Sequence, residues 1–132
     1  MEKIIVQIGW CDNYCAASDE ILGCVACSDT IEGIKKEYRS ALDFHIKGML
    51  EDGDELPEKL KNEYELVFEL DTSAMLHSLD GIVTRKAIAK VTGINEALLT
   101  HYANGLRKPR PVQRQRIIDG IHQIGRELTL IG

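Results

Sequence analysis

The sequence predicts an α+β domain over residues 1–70, followed by an all-α helix-turn-helix domain over residues 71–132. The hydrophobic pattern alternates at every second residue in several segments before residue 70 and is helical after it. The charge changes at nearly the same place. Residues 1–80 hold seven basic and eighteen acidic side chains, whereas residues 81–132 hold nine basic and three acidic ones. The net charge of −5 therefore combines an acidic front with a basic tail.

The order predicted for the first domain is β-β-β-α-β. Ile4, Val6 and Ile8 alternate with less apolar residues in a strand over residues 3–10. Short strands over residues 14–18 and 24–28 complete an antiparallel meander, and a final strand covers residues 64–70. Between them, Asp29-Thr30 begins a helix of about five turns. Its apolar stripe consists of Ile34, Tyr38, Leu42, Ile46 and Met49.

Four helices are predicted for the second domain. The first begins at Asp71-Thr72-Ser73, and Thr84 and Asn95 are suited to cap the second and third. The fourth begins near Pro111, because proline is favoured in the first turn of a helix. Its apolar stripe is Ile117, Ile121, Ile124 and Leu128. This stripe is either the core of the domain, which we favour, or a seam between two copies of the chain.

The composition is typical of a globular protein, with 44% hydrophobic and 28% charged residues. We expect a cytoplasmic location and no membrane partner, because no apolar run is long enough for a membrane span or a signal peptide. The cytoplasm keeps thiols reduced, so we expect no disulfides among the four cysteines, Cys11, Cys15, Cys24 and Cys27. Cys24 and Cys27 have the spacing of zinc ligands, but on a strand they point to opposite faces. We therefore expect small, half-buried hydrophobic residues with no metal and no cofactor.

The most informative motif runs from Thr84 to Gly105, where two short helices meet at a turn. Gly93 supplies the left-handed backbone that a sharp turn needs, and Ile94 fills the corner between the helices. This pattern is typical of a helix-turn-helix whose second helix enters the DNA major groove. The alternative is a small helical bundle with a solvated basic face.

The polar side of this motif has the residue types that bind DNA. Polar or small side chains on the second motif helix are suited to base edges, and the flanking cations and capped helix starts are suited to phosphates. The predicted DNA-binding residues are Thr84, Arg85, Lys86, Asn95, Glu96, Ala97, Thr100, His101, Asn104, Arg107 and Lys108. Useful specificity implies a homodimer or higher homo-oligomer on a palindromic operator.

The stretch from Thr84 to Pro109 resembles the helix-turn-helix of the lambda-repressor/Cro-like family. The matching pieces are Ile88-Ala89, Gly93-Ile94, Asn104-Gly105 and Arg107-Lys108-Pro109. Arg85 stands where that family typically carries a glutamine.

The first domain resembles the antitoxins of HicA–HicB toxin–antitoxin pairs. The resemblance rests on Gly23-Cys24-Val25, Asp29-Thr30, Ala41 and Glu51-Asp52-Gly53. It implies a truncated ribonuclease-H-like fold that neutralises a small basic RNA-cleaving toxin, while the tail represses the operon. The acidic connector (Glu51, Asp52, Asp54, Glu55, Glu58) is one toxin-binding candidate, and a solvated hinge is its simpler interpretation.

We expect no enzymatic activity and no catalytic residues. Ribonuclease-H chemistry needs carboxylates gathered on central strands to hold divalent metal. The first strand offers Ile4, Val6 and Ile8 instead, and Asp12 and Asp19 fall in turns.

Two alternative functions remain open from the sequence. The first is a stand-alone DNA-binding transcriptional regulator whose N-terminal domain senses a small ligand or a metal. The second is a protein-interaction adaptor whose helical tail never touches DNA.

Overall fold

The computed structural model describes all 132 residues, which form two compact units, Met1–Asp71 (unit 1) and Thr72–Gly132 (unit 2). A mixed four-stranded sheet with one long helix is followed by a set of helices, as expected for an α+β chain with a helical tail. None of the helices combines the length and the apolarity needed to cross a lipid bilayer.

Unit 1 contains β1, β2, β3, α1, a short 3-10 turn and β4. Their bounds are Glu2–Trp10, Tyr14–Ser18, Ile21–Ser28, Ile31–Glu51, Glu58–Leu60 and Tyr64–Leu70. Unit 2 contains α2, α3, α4 and α5, with bounds Thr72–Ser78, Arg85–Thr92, Glu96–Ala103 and Pro111–Ile131.

The sheet of unit 1 has the strand order β3-β2-β1-β4. β1, β2 and β3 form the predicted antiparallel meander, and β4 lies parallel to β1 on its other side. Ile4, Val6 and Ile8 are fully buried on one face of β1. Helix α1 begins after Thr30, whose hydroxyl accepts the Gly33 N–H at 2.9 Å, and it buries the predicted stripe from Ile34 to Leu42.

The third strand begins earlier than its sequence pattern suggests. Gly23, which was expected to precede the strand, lies inside β3 with φ +83°. The register between β2 and β3 shifts between Ala17 and Ser18. Because glycine tolerates positive φ, it lets the strand continue back to Ile21 through this irregularity.

The five carboxylates of the acidic connector are exposed, as its solvated interpretation expects, but the 3-10 turn at its end, Glu58–Leu60, is attached to the sheet and is not a free hinge. Leu60 is buried, and the Lys59 ammonium donates to the Lys3 carbonyl at 2.9 Å. Lys59 also forms an ion pair with Glu20. Hydrogen bonds from Lys59 and from the Ile5 N–H lower the pKa of the Glu20 carboxyl.

The core of unit 2 is formed by one to three side chains from each of its helices and one from the turn before α4. Its buried members are Leu76, Ile88, Ile94, Leu99, Tyr102, Ala103 and Ile117. Ile121 and Ile124 are half-buried against this cluster. The first half of the α5 stripe therefore belongs to the core, as we favoured.

Helices α3 and α5 approach closely at Gly120. A Cβ atom placed there would lie 2.4 Å from Cγ2 of Thr92 and 3.3 Å from Cγ2 of Val91. Thr92 is buried and cannot move away easily. Glycine at this position therefore permits the crossing of the two helices.

We expect Gly120→Ala to lower the free energy of unfolding of unit 2 by about 1–3 kcal/mol, the usual cost of overpacking a core. Gly125→Ala is the matched control, because nothing lies within 4 Å of its added Cβ. The control should raise stability by up to about 1 kcal/mol through better helix propensity. Urea denaturation of both variants measures the two changes, and equal effects would contradict this packing.

Candidate nucleic-acid interface

Helices α3 and α4 are joined by a tight turn over residues 93–95. Gly93 has φ +73°, and its N–H donates to the Ala89 carbonyl at 2.8 Å. The buried Thr92 hydroxyl donates to the Ile88 carbonyl at 2.7 Å and accepts the Ile94 N–H at 3.2 Å. These bonds satisfy the backbone groups at the end of α3 and fix the direction in which α4 begins.

Helix α4 has one buried and one exposed side. Leu99 and Tyr102 are buried, and Leu98 is half-buried against the same core. The predicted base-contacting residues lie on the other side: Glu96, Ala97, His101 and Asn104 are exposed, and Thr100 is half-buried. The exposed side of the helix is therefore formed by polar or small side chains.

The beginning of α4 is capped by Asn95, whose side-chain oxygen accepts the Ala97 N–H at 2.8 Å. Thr84 caps α3 in the same way, accepting the Ala87 N–H at 3.0 Å. Both capping residues are exposed. The remaining backbone N–H groups and the positive end of the helix dipole give each helix start an affinity for anions.

The end of α4 is held by a Schellman-type cap. The N–H of Gly105, at φ +74°, donates to the Tyr102 carbonyl, and the Leu106 N–H donates to the His101 carbonyl at 2.9 Å. The Ala103 carbonyl bonds to two side chains of α2, Ser73 Oγ at 2.6 Å and His77 Nε2 at 2.9 Å. This end of the helix is therefore attached to α2.

Four exposed positive side chains lie on α3 and on the segment after α4, and none of them forms an ion pair within unit 2. Lys86 is exposed on α3, and Arg107, Lys108 and Arg110 are exposed on the segment that leads to α5. Unit 2 as a whole holds nine basic and four acidic residues, a net charge of +5. This excess produces a positive potential around the motif.

Arg85 lies differently from the other predicted cations. Its side chain is only 23% exposed, its guanidinium is 3.7 Å from Asp80 Oδ1, and its buried Nε has no hydrogen-bond partner. Arg85 and Asp80 line a depression of about 480 Å³ together with Glu96 and Thr100. Arg85 is thus positioned next to the first turn of α4, and Asp80 offsets part of its charge.

One cation near the motif was missed from the sequence. The guanidinium of Arg116, on α5, lies 3.0 Å from the position that a Gly93 Cβ would occupy. The neighbouring Arg114 instead donates to the Thr72 hydroxyl at 3.1 Å within unit 2. No local pattern separates these two arginines, since their surroundings depend on how α5 packs on α3.

The four cysteines of unit 1 do not gather into one cluster. Cys24 is buried near Tyr38, and burial raises its pKa. Cys15 is half-buried, whereas Cys11 and Cys27 are exposed, so the expectation of half-buried hydrophobic residues is wrong for these last two. No group of three or more His, Cys, Asp or Glu side chains is placed to hold a metal ion.

The acidic side chains considered for catalysis lie apart from the core of the sheet. Asp12 and Asp19 are exposed in the turns on either side of β2, and Asp12 has φ +64°. The three inward side chains of β1 are the apolar Ile4, Val6 and Ile8.

The chain is thus an α+β unit with a mixed sheet followed by a helical unit with a basic polar face. It is similar to an uncharacterized 14.9 kDa protein from the rep-hol intergenic region of Haemophilus phage HP1 (strain HP1c1), with 39% identity over 46 residues. The match covers 35% of this chain and 35% of the phage protein, so it spans about a third of the relative's length. No protein-family model matches the chain.

Proposed function

We propose that this chain is an antitoxin that represses its own operon, with unit 2 as a helix-turn-helix that binds operator DNA and unit 1 as the domain that binds a toxin. The observation that carries the proposal is the exposed polar side of α4, which begins at a capped turn, together with the exposed cations on α3 and on the segment after α4. A helix of this kind fits the major groove, where side chains can reach base edges.

The side chains on α4 define which base contacts are chemically possible. Asn104 can pair with an adenine edge, and Glu96 can accept from a cytosine amino group. Ala97 can contact a thymine methyl, and Thr100 or His101 can hydrogen-bond to exposed base edges. Glu96 also repels phosphates, so it favours a position over a cytosine and disfavours non-specific binding.

Phosphate contacts would come from the groups around α4. Arg107 and Lys108 follow its C-terminal end, Lys86 lies on α3, and the starts of α3 and α4 supply backbone N–H groups at Thr84 and Asn95. Such contacts fix the orientation of the protein on the duplex and supply most of the salt-dependent affinity.

The charge and topology of unit 1 support a different partner. Unit 1 holds seven basic and seventeen acidic residues, a net charge of −10, which repels DNA and attracts a small basic toxin. The antiparallel meander, the covering helix and the parallel fourth strand support the truncated ribonuclease-H-like arrangement that the HicB resemblance implies.

Within the acidic connector, the structure favours its first half as a contact surface. Lys61 forms ion pairs with Glu55 at 2.9 Å and with Glu58 at 3.3 Å. The hydrogen bond from Lys61 holds the pKa of Glu55 below its usual value. Glu51, Asp52 and Asp54 are exposed at the end of α1, and we propose them as toxin contacts.

The second half of α5 carries exposed apolar residues that could pack against a second copy of the chain. Ile117, Ile121, Ile124, Leu128 and Ile131 recur at spacings of 4, 3, 4 and 3, the pattern of a coiled-coil seam. Ile117 is buried in the core and Ile121 and Ile124 are half-buried against it, whereas Leu128 is 57% and Ile131 is 84% exposed. We propose that a second copy of α5 covers this end and places two α4 helices on one palindrome.

Replacing Leu128 and Ile131 by aspartate should convert the dimer into a monomer and weaken operator binding, because each half-site would then be bound separately. Leu130→Asp is the matched control, since Leu130 is 85% exposed but lies off the seam. Sedimentation equilibrium measures the mass of each variant. A wild-type monomer, or a dimer that survives the double substitution, would contradict the seam.

Co-expression with the open reading frame adjacent to this gene tests the antitoxin proposal. We expect the adjacent product to stop growth when expressed alone, and the full chain to restore growth and to retain that product in a pull-down. A triple substitution of Glu51, Asp52 and Asp54 by lysine should abolish rescue, whereas Glu2→Lys with Glu69→Lys, a reversal elsewhere on unit 1, should not. An adjacent product that is harmless and not retained would refute the proposal.

A further inference from the structure

Two cysteines face each other across neighbouring strands of unit 1. Cys15 on β2 is the register partner of Cys27 on β3 in the antiparallel ladder. Directly opposite residues in such a ladder have Cα atoms about 4.5 or 5.5 Å apart. Both separations lie within the range of about 4.4 to 6.8 Å that a disulfide spans.

The two thiols lie on the same face of the sheet, opposite to α1. Ala16 and Cys24 are buried on the α1 side, so the alternation of side chains places Cys15 and Cys27 on the other side. Cys27 is exposed, and Cys15 is half-buried beside it. A dissolved reagent can therefore reach Cys27 first.

We propose that Cys15 and Cys27 form a thiol–disulfide exchange site, which takes a small-molecule disulfide such as oxidised glutathione and ends as a cross-strand disulfide within one chain. This inference is independent of the proposed DNA and toxin binding, since it uses only the register, exposure and chemistry of residues in β2 and β3.

The reaction has two balanced steps. The Cys27 thiolate attacks one sulfur of oxidised glutathione, so a Cys27–glutathione disulfide forms and one glutathione thiolate leaves. The Cys15 thiolate then attacks the Cys27 sulfur, forms the Cys15–Cys27 disulfide and releases the second glutathione. The two protons lost from the protein thiols end on the two glutathione molecules, which are thereby reduced, while the protein pair is oxidised.

The environment of Cys15 gives the two steps an order. A hydrogen bond with Cys27, aided by burial and by the charges of Cys27 and Cys11, raises the pKa of Cys15 to about 11. Cys15 is therefore protonated at neutral pH and does not react first. Once Cys27 carries glutathione, its thiol no longer forms that hydrogen bond, so the largest cause of the raised pKa is removed and Cys15 becomes a better nucleophile.

The structure also distinguishes this pair from the third nearby thiol. Cys11 lies in the turn before β2, where its N–H donates to the Asn13 carbonyl at 2.9 Å. It is exposed but has no register partner among the cysteines. Cys11→Ser is therefore the matched control for substitutions of the pair.

Incubation of the reduced, full-length protein with oxidised glutathione, followed by alkylation and peptide mass mapping, tests the site. The wild type and Cys11→Ser should yield a linked pair of peptides containing Cys15 and Cys27, lighter by two hydrogens and without glutathione. Cys15→Ser, or Cys15→Ala if the serine variant does not fold, should retain glutathione on Cys27. In the wild type, linkage should form at least about tenfold more slowly in concentrated urea, because the ladder no longer aligns the thiols.

The proposal is wrong if the wild type accumulates glutathione on Cys27 without forming the Cys15–Cys27 disulfide, if Cys11 replaces either partner, or if no thiol reacts. Equal rates of linkage in buffer and in urea would also overturn it, and that comparison requires no substitution.

Discussion

Replacing Arg107 and Lys108 together by glutamate is expected to weaken operator binding about 100-fold or more near physiological salt, through loss of two phosphate contacts and gain of repulsion. Both side chains are exposed directly after α4, and neither contributes to the core of unit 2. The slope of log affinity against log salt concentration should become shallower by about 2, that is, by about 1 for each phosphate contact removed. Fluorescence anisotropy with labelled operator at several salt concentrations measures both quantities.

The matched control reverses two exposed lysines of unit 1, Lys36 and Lys47. This control changes the net charge by the same amount as the double substitution at Arg107 and Lys108. It should leave DNA affinity nearly unchanged, since DNA contacts in this proposal are confined to unit 2. Equal losses of DNA affinity in the two variants would mean that only the total charge matters. If the two units act separately, we expect both variants to retain the toxin.

The largest effect on stability is expected from Leu99→Ala, which should lower the free energy of unfolding of unit 2 by about 2–5 kcal/mol. Leu99 is fully buried in the cluster to which α2, α3, α4 and α5 all contribute. Its truncation leaves a cavity that the surrounding helices can fill only in part. Leu130→Ala, at a residue that is 85% exposed, is the control and should cost little.

The single tryptophan allows the two units to be followed separately during this experiment. Trp10 lies in β1 and packs edge-on against Tyr14, with ring centroids 5.0 Å apart. Its fluorescence should therefore report unit 1 and should be unaffected by Leu99→Ala. Far-ultraviolet circular dichroism should show the early loss of the helices of unit 2. A loss of Trp10 signal at the same urea concentration would show that the units unfold together.

The sequence was sufficient to predict those elements whose apolar period is long and regular. The stripe from Ile34 to Leu42 on α1 and the alternation of Ile4, Val6 and Ile8 on β1 are buried as expected. The exposed side of α4 also follows from its sequence, because burial of Leu99 and Tyr102 leaves the polar residues on the opposite side.

Features that depend on distant contacts were not predictable from local patterns. The parallel pairing of β4 with β1 joins segments about sixty residues apart, and neither strand carries a signal for its neighbour. Burial of Leu60 and the bonds of Lys59 likewise depend on the packing of the connector against the sheet. Within unit 2, the ion pair of Arg85 with Asp80 and the position of Arg116 beside Gly93 also depend on how the helices pack, which no local pattern predicts.

The pairing of Cys15 with Cys27 shows the same limit at a single site. On one strand, Cys24 and Cys27 are separated by the pleat, as the alternation predicts. The contact between Cys15 and Cys27 depends on the register of two strands, which is set by the irregularity near Ser18 as well as by the pattern of burial.

The most direct test of the central claim is equilibrium binding of the full chain to the DNA immediately upstream of its own gene. The competitor is a shuffled duplex of equal length and composition at about 0.15 M salt. We expect the upstream DNA to bind at least about a thousandfold more tightly, the usual ratio for sequence-specific DNA binding. Equal affinity for the two duplexes, or no binding to either, would contradict the assignment of α4 as a helix that recognises DNA.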